Sequence, residues 1–278
     1  MTKEVIKNLP NIPSDKQFLF LFGRVSEELL KIYRQTDQEL VIKSDNSPQT
    51  IADRFSHTQI TSFLKTNTPY PVFSEEVETP PVIMDEFFWT LDPLDGTKDF
   101  INKTDEFSIM AALIQGNKPI FGVVYQPVTG VMYIAEKGKG AHLVEKDGSV
   151  SRLRVSTNTE LNKTRMIVSR SHAQKTDQDV ASALGAKEMI PHGSFGLKIG
   201  LMAQGKAELL LYPPKVTSIW DSAPNIIIIS EAGGKITDLD GKDLIVDPSS
   251  PRNQRGIIAS NGFIHDELLS IVRKTVSY

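Results

Sequence analysis

The chain carries, at residues 89–100, the segment WTLDPLDGTKDF, which predicts a buried strand with an acidic site at its end. The apolar run Phe87–Leu91 has the length of a buried strand, and that strand would deliver Asp92. A proline then stops strand pairing, and the next aspartate, glycine and threonine turn the chain into what looks like a helix start. The two carboxylates can converge on one point, which the backbone N–H groups of Gly96 and Thr97 would also face. Carboxylates beside free amides suit a hard cation together with a phosphate.

Each acidic stretch, taken alone, leaves another interpretation open. An isolated D-x-x-D-G-T is more often a capped turn than a binding site. Glu75 and Glu76 follow a predicted strand at residues 72–73, and paired glutamates in such a place usually form a solvated loop. Asp221 stands beside Trp220 at a predicted helix start, where an aspartate usually serves as a cap.

Composition limits the classes of protein to which the chain can belong. Its 278 residues are 40% hydrophobic, enough for one large domain or two closely packed ones. The net charge of −3 gives no basic excess for a nucleic-acid backbone, and the absence of cysteine excludes a disulfide framework and a thiolate metal site. Residues 1–13 lack the apolar core of a signal peptide, and the longest apolar runs are too short to span a bilayer. We expect a soluble, cytoplasmic protein, and leave open a peripheral association with the inner membrane.

Hydrophobic periodicity predicts two helices followed by a run of strands. Apolar residues at helical spacing between residues 18 and 32 predict an amphipathic helix. A second helix is predicted from Ser47, taken as its N-cap, through Pro48 to about Lys65. Strand-length apolar runs between residues 87 and 145, separated by glycine- and proline-containing turns, predict an antiparallel meander.

The second half of the chain alternates strand and helix signals after a polar linker at residues 156–163. The run Ile226–Ile229 is interpreted as a buried helix, because Asp221 can cap it and Gly233 can end it. We therefore predict a mixed α and β protein with sheets covered by helix layers. It would divide into an N-terminal α+β subdomain, residues 1–155, and a C-terminal α/β subdomain, residues 156–278.

Four motifs, taken in order, resemble the signature of the inositol monophosphatase superfamily of magnesium-dependent, lithium-sensitive phosphatases. They are KSDNSPQTIAD at residues 43–53, SEE at 74–76, DPLDGT at 92–97 and WDSA at 220–223. The resemblance spans about residues 18–262 and implies an α+β fold, the layered αβαβα sandwich of the sugar-phosphatase type. Residues 97–100 and 43–50 further resemble the 3'(2'),5'-bisphosphate nucleotidase branch of bacterial CysQ type.

The resemblance also implies roles for individual residues. Two or three Mg²⁺ ions would be held by Glu75, Asp92, Asp95, Asp221 and the carbonyl of Leu94. Thr97, with Asp45 behind it, would orient and deprotonate the attacking water. The substrate-binding residues would be Gly96, Thr97, Ser171, His172, Ser194, Lys198 and Asp221. Without the resemblance, His172 would be interpreted as a surface histidine and Lys198 as a solvated helix residue.

One departure from the resemblance concerns the substrate pocket. Bacterial relatives of this branch often have an arginine shortly before the Trp-Asp pair, whereas residues 211–218 contain none. Lys215 or Lys198 could take over its contact to the non-scissile phosphate.

The function implied is a phosphomonoesterase that converts 3'-phosphoadenosine 5'-phosphate into AMP and phosphate, linked to sulfur assimilation and nucleotide recycling. An inositol monophosphatase or inositol 1,4-bisphosphate 1-phosphatase is the alternative. A binding protein without turnover is disfavoured, because every expected ligand is present. The expected partner is a small phosphorylated molecule rather than a nucleic-acid polymer, and the protein would be a monomer or a weak homodimer.

Overall fold

The computed structural model describes residues 12–35, 41–42, 48–77, 86–171 and 175–276. The helices are α1 (Asp15–Tyr33), α2 (Ile51–Asn67), α3 (Thr97–Ile101), α4 (Lys175–Leu184), α5 (Phe195–Ala203), α6 (Ile219–Glu231) and α7 (His265–Thr275). The strands of the first half are β1 (Val41–Ile42), β2 (Pro48–Gln49), β3 (Val72–Ser74), β4 (Phe87–Asp95), β5 (Ser108–Gln115), β6 (Lys118–Gln126), β7 (Val131–Glu136), β8 (Gly140–Val144) and β9 (Val150–Arg152). Those of the second half are β10 (Arg165–Ser169), β11 (Glu188–His192), β12 (Leu209–Tyr212), β13 (Lys235–Thr237) and β14 (Ile257–Ser260).

The first large sheet contains the predicted meander. Its order is β3-β4-β5-β6-β7-β8-β9, and every pair is antiparallel except β3 with β4. The two terminal strands β3 and β9 are only three residues long. Because successive side chains point to opposite faces, each central strand contributes to two separate cores.

Helices α1 and α2 cover one face of this sheet. Phe18 and Phe22 of α1 are fully buried there with Trp89 and Phe121 of the sheet. The ring centroids of Phe18 and Phe121 are 5.4 Å apart and the rings are stacked. The amphipathic stripe predicted for residues 18–32 therefore forms the outer boundary of the core, as the periodicity indicated.

The second sheet has the order β11-β10-β12-β14-β13. Strand β10 lies between β11 and β12 and is parallel to both. Helices α5 and α6 fill the space between the two sheets, and α4 and α7 cover the far face of the second one. The layers thus run α1/α2, first sheet, α5/α6, second sheet, α4/α7. This is the predicted αβαβα sandwich of an α+β protein; the division of the chain at residue 155 stays a prediction.

Helix α6 confirms the interpretation of the isoleucine run. Ile227, Ile228 and Ile229 are buried among side chains of both sheets, and Ala223 packs on the first sheet beside Phe88. A helix that is apolar all round is stable only when it is covered on all sides.

The start of α2 differs from the prediction. The N-cap is Thr50, whose hydroxyl accepts a hydrogen bond from the N–H of Ala52 at 3.1 Å. The N–H of Thr50 donates in return to the Asp53 carboxylate at 2.6 Å, which completes a capping box. Pro48 is extended and pairs with Ile42, so the assignment of Pro48 to the first helical position was wrong. The predicted cap, Ser47, lies outside the described residues.

Among the described residues, no helix is long and apolar enough to cross a membrane.

The contact between β6 and α6 leads to a stability prediction. A Cβ atom on Gly122 would meet Ile227 and would lie 2.9 Å from the carbonyl oxygen of Pro224. Gly122→Ala should therefore lower the free energy of unfolding by roughly 1–3 kcal/mol. Chemical denaturation measures this change.

Gly23→Ala provides the control, because a Cβ there meets nothing within 4 Å inside helix α1. That change should be neutral or stabilising by up to ~1 kcal/mol, since alanine is the better helix former. Equal destabilisation by the two changes would contradict the tight packing of α6 on β6.

Candidate metal and phosphate site

A β-bulge brings Asp92 and Asp95 together. Asp92 pairs with Met110 and Asp95 with Ser108, so β4 uses one residue more than β5 between these two pairs. Residues three apart on a regular strand point to opposite faces, and the extra residue cancels that alternation. The proline at position 93 suits a bulge, because it has no N–H to donate to the ladder.

Asp221 joins the two aspartates from the other half of the chain. It lies in the first turn of α6 and accepts a hydrogen bond from the N–H of Ser218 at 2.6 Å. Asp92, Asp95 and Asp221 each offer a carboxylate oxygen, and these oxygens lie within 4.8 Å of one another. The N-cap of α6 is Ser218, so the interpretation of Asp221 as the cap was wrong. Asp221 is the third helical residue and completes a capping box, and it is also a member of the acidic cluster.

Glu75 and Leu94 adjoin this cluster. Glu75 follows β3, and its N–H donates to the carbonyl oxygen of Leu91 at 3.0 Å. It lines the same cavity as Asp95 and Asp221 but is not one of the three residues whose oxygens converge. The N–H of Leu94 donates to the Asp92 carboxylate at 3.0 Å, which holds the bulge in place.

The electrostatics of the cluster favour a bound cation. Burial raises the pKa of Asp92 well above its usual value, and the negative charges of Glu75, Asp95 and Asp221 raise it further. The pKa of Asp221 is raised for the same reasons. A group of carboxylates that shares a buried site is stable when it is protonated or when it holds a cation. The donors are all oxygens, which suits Mg²⁺.

Gly96 and Thr97 lie directly after the bulge. Gly96 has a φ of +90°, and a Cβ there would be 3.1 Å from the carbonyl oxygen of Glu106, so the turn requires glycine. The Thr97 hydroxyl lies 3.1 Å from the Asp53 carboxylate and 3.2 Å from the Leu94 carbonyl oxygen. A hydroxyl has one proton and can donate to only one of these acceptors at a time.

The carboxylate beside Thr97 is Asp53, whereas the sequence analysis assigned that place to Asp45, which lies outside the described residues. Asp53 is buried, and its other oxygen accepts hydrogen bonds from the N–H and the hydroxyl of Thr50, both at 2.6 Å. Asp53 is the last residue of the first motif, but the sequence analysis assigned it no role. The threonine three residues before it was a usable signal, because Thr-x-x-Asp before an apolar run marks a capped helix start.

Of the two serines expected in the substrate pocket, one lines the cavity and the other does not. Ser194 is in the cavity lining; it caps α5, and its hydroxyl donates to the Asp95 carboxylate. Ser171 donates to Asp99 at 3.3 Å and is not among the residues that line the cavity. His172 lies outside the described residues. The structure thus places Ser194 behind a cluster carboxylate.

Lys198 is a buried residue of the cavity wall, so the interpretation that would hold without the resemblance, a solvated helix residue, is wrong. Only 2% of it is exposed, its ammonium group donates to the carbonyl oxygen of His192 at 3.2 Å, and it lies 5.3 Å from the ring centroid of Tyr212. Burial lowers the pKa of Lys198 to about 8, although the charges of Asp95 and Asp99 oppose that shift.

The cavity beside the cluster has a volume of about 380 Å³. Its lining includes Glu75, Asp95, Asp221, Gly96, Thr97 and Lys198. This volume is within the range of small-molecule sites in proteins.

The layered fold and the convergent carboxylates match one family. The model of the inositol monophosphatase family covers residues 18–277, and the chain belongs to this family. Among curated relatives, the 3'(2'),5'-bisphosphate nucleotidase CysQ of Escherichia coli K12 is 38% identical over 233 residues, which are 82% of this chain and 92% of the relative. The nucleotidase of the same name from Aggregatibacter actinomycetemcomitans is 33% identical over 78% of this chain and 81% of its own.

Solved structures agree with this assignment. CysQ from Bacteroides thetaiotaomicron superposes with a TM-score of 0.73 at 27% identity, covering 89% of this chain and 98% of that one. The IMPase TM1415 of Thermotoga maritima gives a TM-score of 0.79 at 25% identity, covering 94% and 96%.

The raised pKa values of Asp92 and Asp221 predict how stability depends on pH without metal. A carboxyl group whose pKa is higher in the folded state binds protons more strongly there, so stability falls as pH rises above the ordinary carboxyl pKa of about 4. A bound cation removes this penalty. Mg²⁺ should therefore raise the melting temperature more at pH 8 than at pH 6, and Asp92→Asn should raise it at pH 8 without metal by roughly 2 °C or more.

Differential scanning calorimetry at both pH values, at constant ionic strength, measures these shifts. Asp243→Asn is the matched control, because Asp243 is an exposed carboxylate paired with Lys118 at 3.6 Å. A Mg²⁺ effect that is the same at both pH values, or equal in the two variants, would contradict the electrostatic origin assigned to it.

Proposed function

We propose that this protein is a magnesium-dependent phosphomonoesterase that hydrolyses 3'-phosphoadenosine 5'-phosphate to AMP and phosphate. The observation that carries the proposal is the convergence of Asp92, Asp95 and Asp221 on one wall of a cavity whose lining also contains Gly96, Thr97 and a buried lysine. Membership in the inositol monophosphatase family supports the reaction class. The choice of substrate is supported by the 3'(2'),5'-bisphosphate nucleotidases that are 30–39% identical over most of the chain.

The residues that would hold the cations are those that the resemblance implied. Asp92, Asp95 and Asp221 form the centre, with Glu75 and the carbonyl of Leu94 at its edge, and we propose two or three Mg²⁺ ions there. When bound, the cations supply the positive charge that the phosphate and its leaving oxygen require. The Ser194 hydroxyl and the N–H of Gly196 hold the Asp95 carboxylate from behind, which would keep it oriented for this task.

Thr97 and Asp53 form the pair that would orient the attacking water. A threonine hydroxyl is not a base by itself. If it donates its proton to Asp53, its oxygen can still accept a hydrogen bond from a water molecule in the cavity that Thr97 lines, which would orient that water. Asp53 is held by Thr50 and so cannot turn away. The amides of Gly96 and Thr97 would bind the oxygens of the scissile phosphate.

Lys198 supports an anionic substrate. It is a buried cation in the cavity wall, and a buried cation is costly unless anions face it. Asp95, Asp99 and Asp177 supply part of this compensation. Lys198 therefore adds positive potential to the cavity wall, which favours an anionic substrate.

Phosphate release from a substrate panel tests the function. The panel contains 3'-phosphoadenosine 5'-phosphate, adenosine 3'-monophosphate, inositol 1-phosphate and inositol 1,4-bisphosphate, each with Mg²⁺ or with EDTA. The kcat/KM for 3'-phosphoadenosine 5'-phosphate should exceed that for either inositol phosphate at least roughly tenfold, the factor that 1.4 kcal/mol of differential binding supplies. Li⁺ should inhibit more strongly than Na⁺ or K⁺ at equal ionic strength.

Asp95→Asn serves as the control in the same assay. It should show only background phosphate release, because an amide is a poor ligand for Mg²⁺. Activity in EDTA, or in this variant, would contradict the metal mechanism. Faster hydrolysis of an inositol phosphate would favour the alternative substrate class.

The Thr97–Asp53 pair gives a prediction of its own. Thr97→Ala and Asp53→Asn should each lower kcat by roughly 10²–10⁴-fold, and the double variant should be little worse than either single one. Steady-state kinetics with saturating Mg²⁺ measures the cycle, and circular dichroism confirms folding. Losses that multiply would mean that the two residues act separately.

The same cycle with Asp45→Asn tests the partner that the sequence favoured. The carboxylate whose loss is non-additive with Thr97→Ala is the one that acts through the threonine hydroxyl. Non-additivity with Asp45 alone would overturn the assignment to Asp53.

A further inference from the structure

Residues 251–253 are hydrogen-bonded to the backbone at the beginning of helix α6. Arg252 forms an antiparallel bridge with Ser218, the N-cap of that helix. On either side of it, the carbonyl oxygen of Pro251 accepts from the N–H of Ile219 at 2.8 Å, and the N–H of Asn253 donates to the carbonyl oxygen of Thr217 at 2.9 Å.

The side chain of Asn253 adds to this attachment. It is buried and donates to the Thr217 hydroxyl at 2.9 Å and to the carbonyl oxygen of Ser218 at 3.0 Å. The N–H of Ser218 in turn donates to Asp221 of the acidic cluster. The backbone of Arg252 therefore has a fixed position relative to the metal-binding carboxylates, although it comes from a distant part of the sequence.

Arg252 lines the same cavity as Asp221 and Lys198, and its side chain is exposed. It belongs to a stretch of wall that also includes Val216 and Thr217, and so lies on the side of the cavity formed by the second half of the chain. An exposed cation at a cavity wall can meet a ligand that enters from solvent.

The cavity lining contains two further cations, and each has a different setting. Lys98 directly follows Thr97, so it adjoins the proposed binding site of the scissile phosphate. Lys198 is buried, and its charge acts on Asp95, Asp99 and Asp177. Arg252 is the exposed lining cation that belongs to the second half of the chain.

Lys215, which the sequence analysis considered for this contact, does not line the cavity. It is exposed and has a φ of +65° in the loop before α6. Its N–H donates to the carbonyl oxygen of Asn253 at 2.9 Å, so its backbone belongs to the same attachment as Arg252.

We propose that Arg252 binds the non-scissile phosphate of a bisphosphate substrate and so selects bisphosphates over monophosphates. This inference rests on the proposed function and adds a residue that none of the sequence motifs contains. A guanidinium group presents several N–H donors in one plane and binds phosphate through two parallel hydrogen bonds, which a lysine cannot do. The contact would replace the arginine that the segment before Trp220 lacks.

The test compares two substrates that differ only in the second phosphate, 3'-phosphoadenosine 5'-phosphate and adenosine 3'-monophosphate. Arg252→Ala should raise the KM for the bisphosphate roughly ten- to a hundredfold, the loss expected for a hydrogen bond to a charged group. Its kcat should stay within about threefold of wild type, and the KM for the monophosphate should change little, since the reacting atoms are untouched. Arg252→Lys should give an intermediate KM, because it keeps the charge but not the planar fork.

Arg255→Ala is the matched control, because Arg255 is in the same loop but pairs with Asp240 and does not line this cavity. It should leave both KM values unchanged, and the melting temperatures of all variants show whether the loop is intact. Equal KM changes for the two substrates, or none for either, would overturn the role of Arg252. The role of Arg252 would also be overturned if Lys215→Ala or Lys98→Ala removed the preference for the bisphosphate over the monophosphate and Arg252→Ala did not.

Wild-type data separate this proposal from the proposed function. If the protein prefers inositol 1,4-bisphosphate, the nucleotide assignment fails, and the same ratio of KM values for inositol 1,4-bisphosphate and inositol 1-phosphate then tests Arg252. A wild-type protein that gains nothing from a second phosphate on either scaffold would overturn the proposal directly.

Discussion

The central constraint of the structure is that the fold holds together buried carboxylates that repel one another. Asp92 and Asp95 would point to opposite faces of a regular strand, and the bulge between them turns both toward Asp221. Each carboxylate is held by other groups of the protein: Leu94 donates to Asp92, Gly196 to Asp95 and Ser218 to Asp221. These hydrogen bonds come from the fold itself, so the protein backbone helps to orient the carboxylates that would hold a cation.

The position of the site follows from the layer of helices between the two sheets. Most of helix α6 is buried between the two sheets, which places its N-terminal turn beside the end of β4. The third carboxylate of the cluster, Asp221, is also the residue whose side chain accepts from the N–H of Ser218, the N-cap of this helix. One short segment, residues 218–221, thus joins the core of the second half to the acidic strand end of the first.

Different groups in the cavity would serve the reaction and the choice of substrate. In the proposed function, the carboxylates and amides near β4 would act on the phosphate that reacts, because they surround one point. Selection among substrates would then come from groups farther along the cavity, where Lys198 and Arg252 line it from separate elements of the second half. Lys198 is enclosed among carboxylates, so it contributes a preorganised field, while Arg252 is exposed to arriving ligands. The same catalytic centre can then serve different phosphate esters when the distal wall changes.

The sequence by itself determined those features that depend on neighbours along the chain. The central strands of the meander, the amphipathic first helix and the buried helix of isoleucines were predicted because periodicity and turn residues report local burial. The DPLDGT segment and Asp221 were assigned to a metal site through their resemblance to a family. Local signals were weaker at Pro48, because proline suits a helix start and an extended strand alike. The capping box of Thr50 starts helix α2 at Ile51, which leaves Pro48 in the strand.

Only the tertiary structure decided which distant residues share a contact. Asp53 and Thr97 are 44 positions apart. The capping pattern of Thr50 and Asp53 marks a helix start, but it does not show that the Asp53 carboxylate contacts the Thr97 hydroxyl. Edge strand β11, which contains Pro191, pairs with β10 alone and had no periodic signal of its own. Without the resemblance, Lys198 would have been interpreted as a solvated helix residue, because burial depends on what packs over a helix. Arg252 comes from a polar loop without a motif. Long-range hydrogen bonds place these residues, and such bonds leave no periodic trace in the sequence.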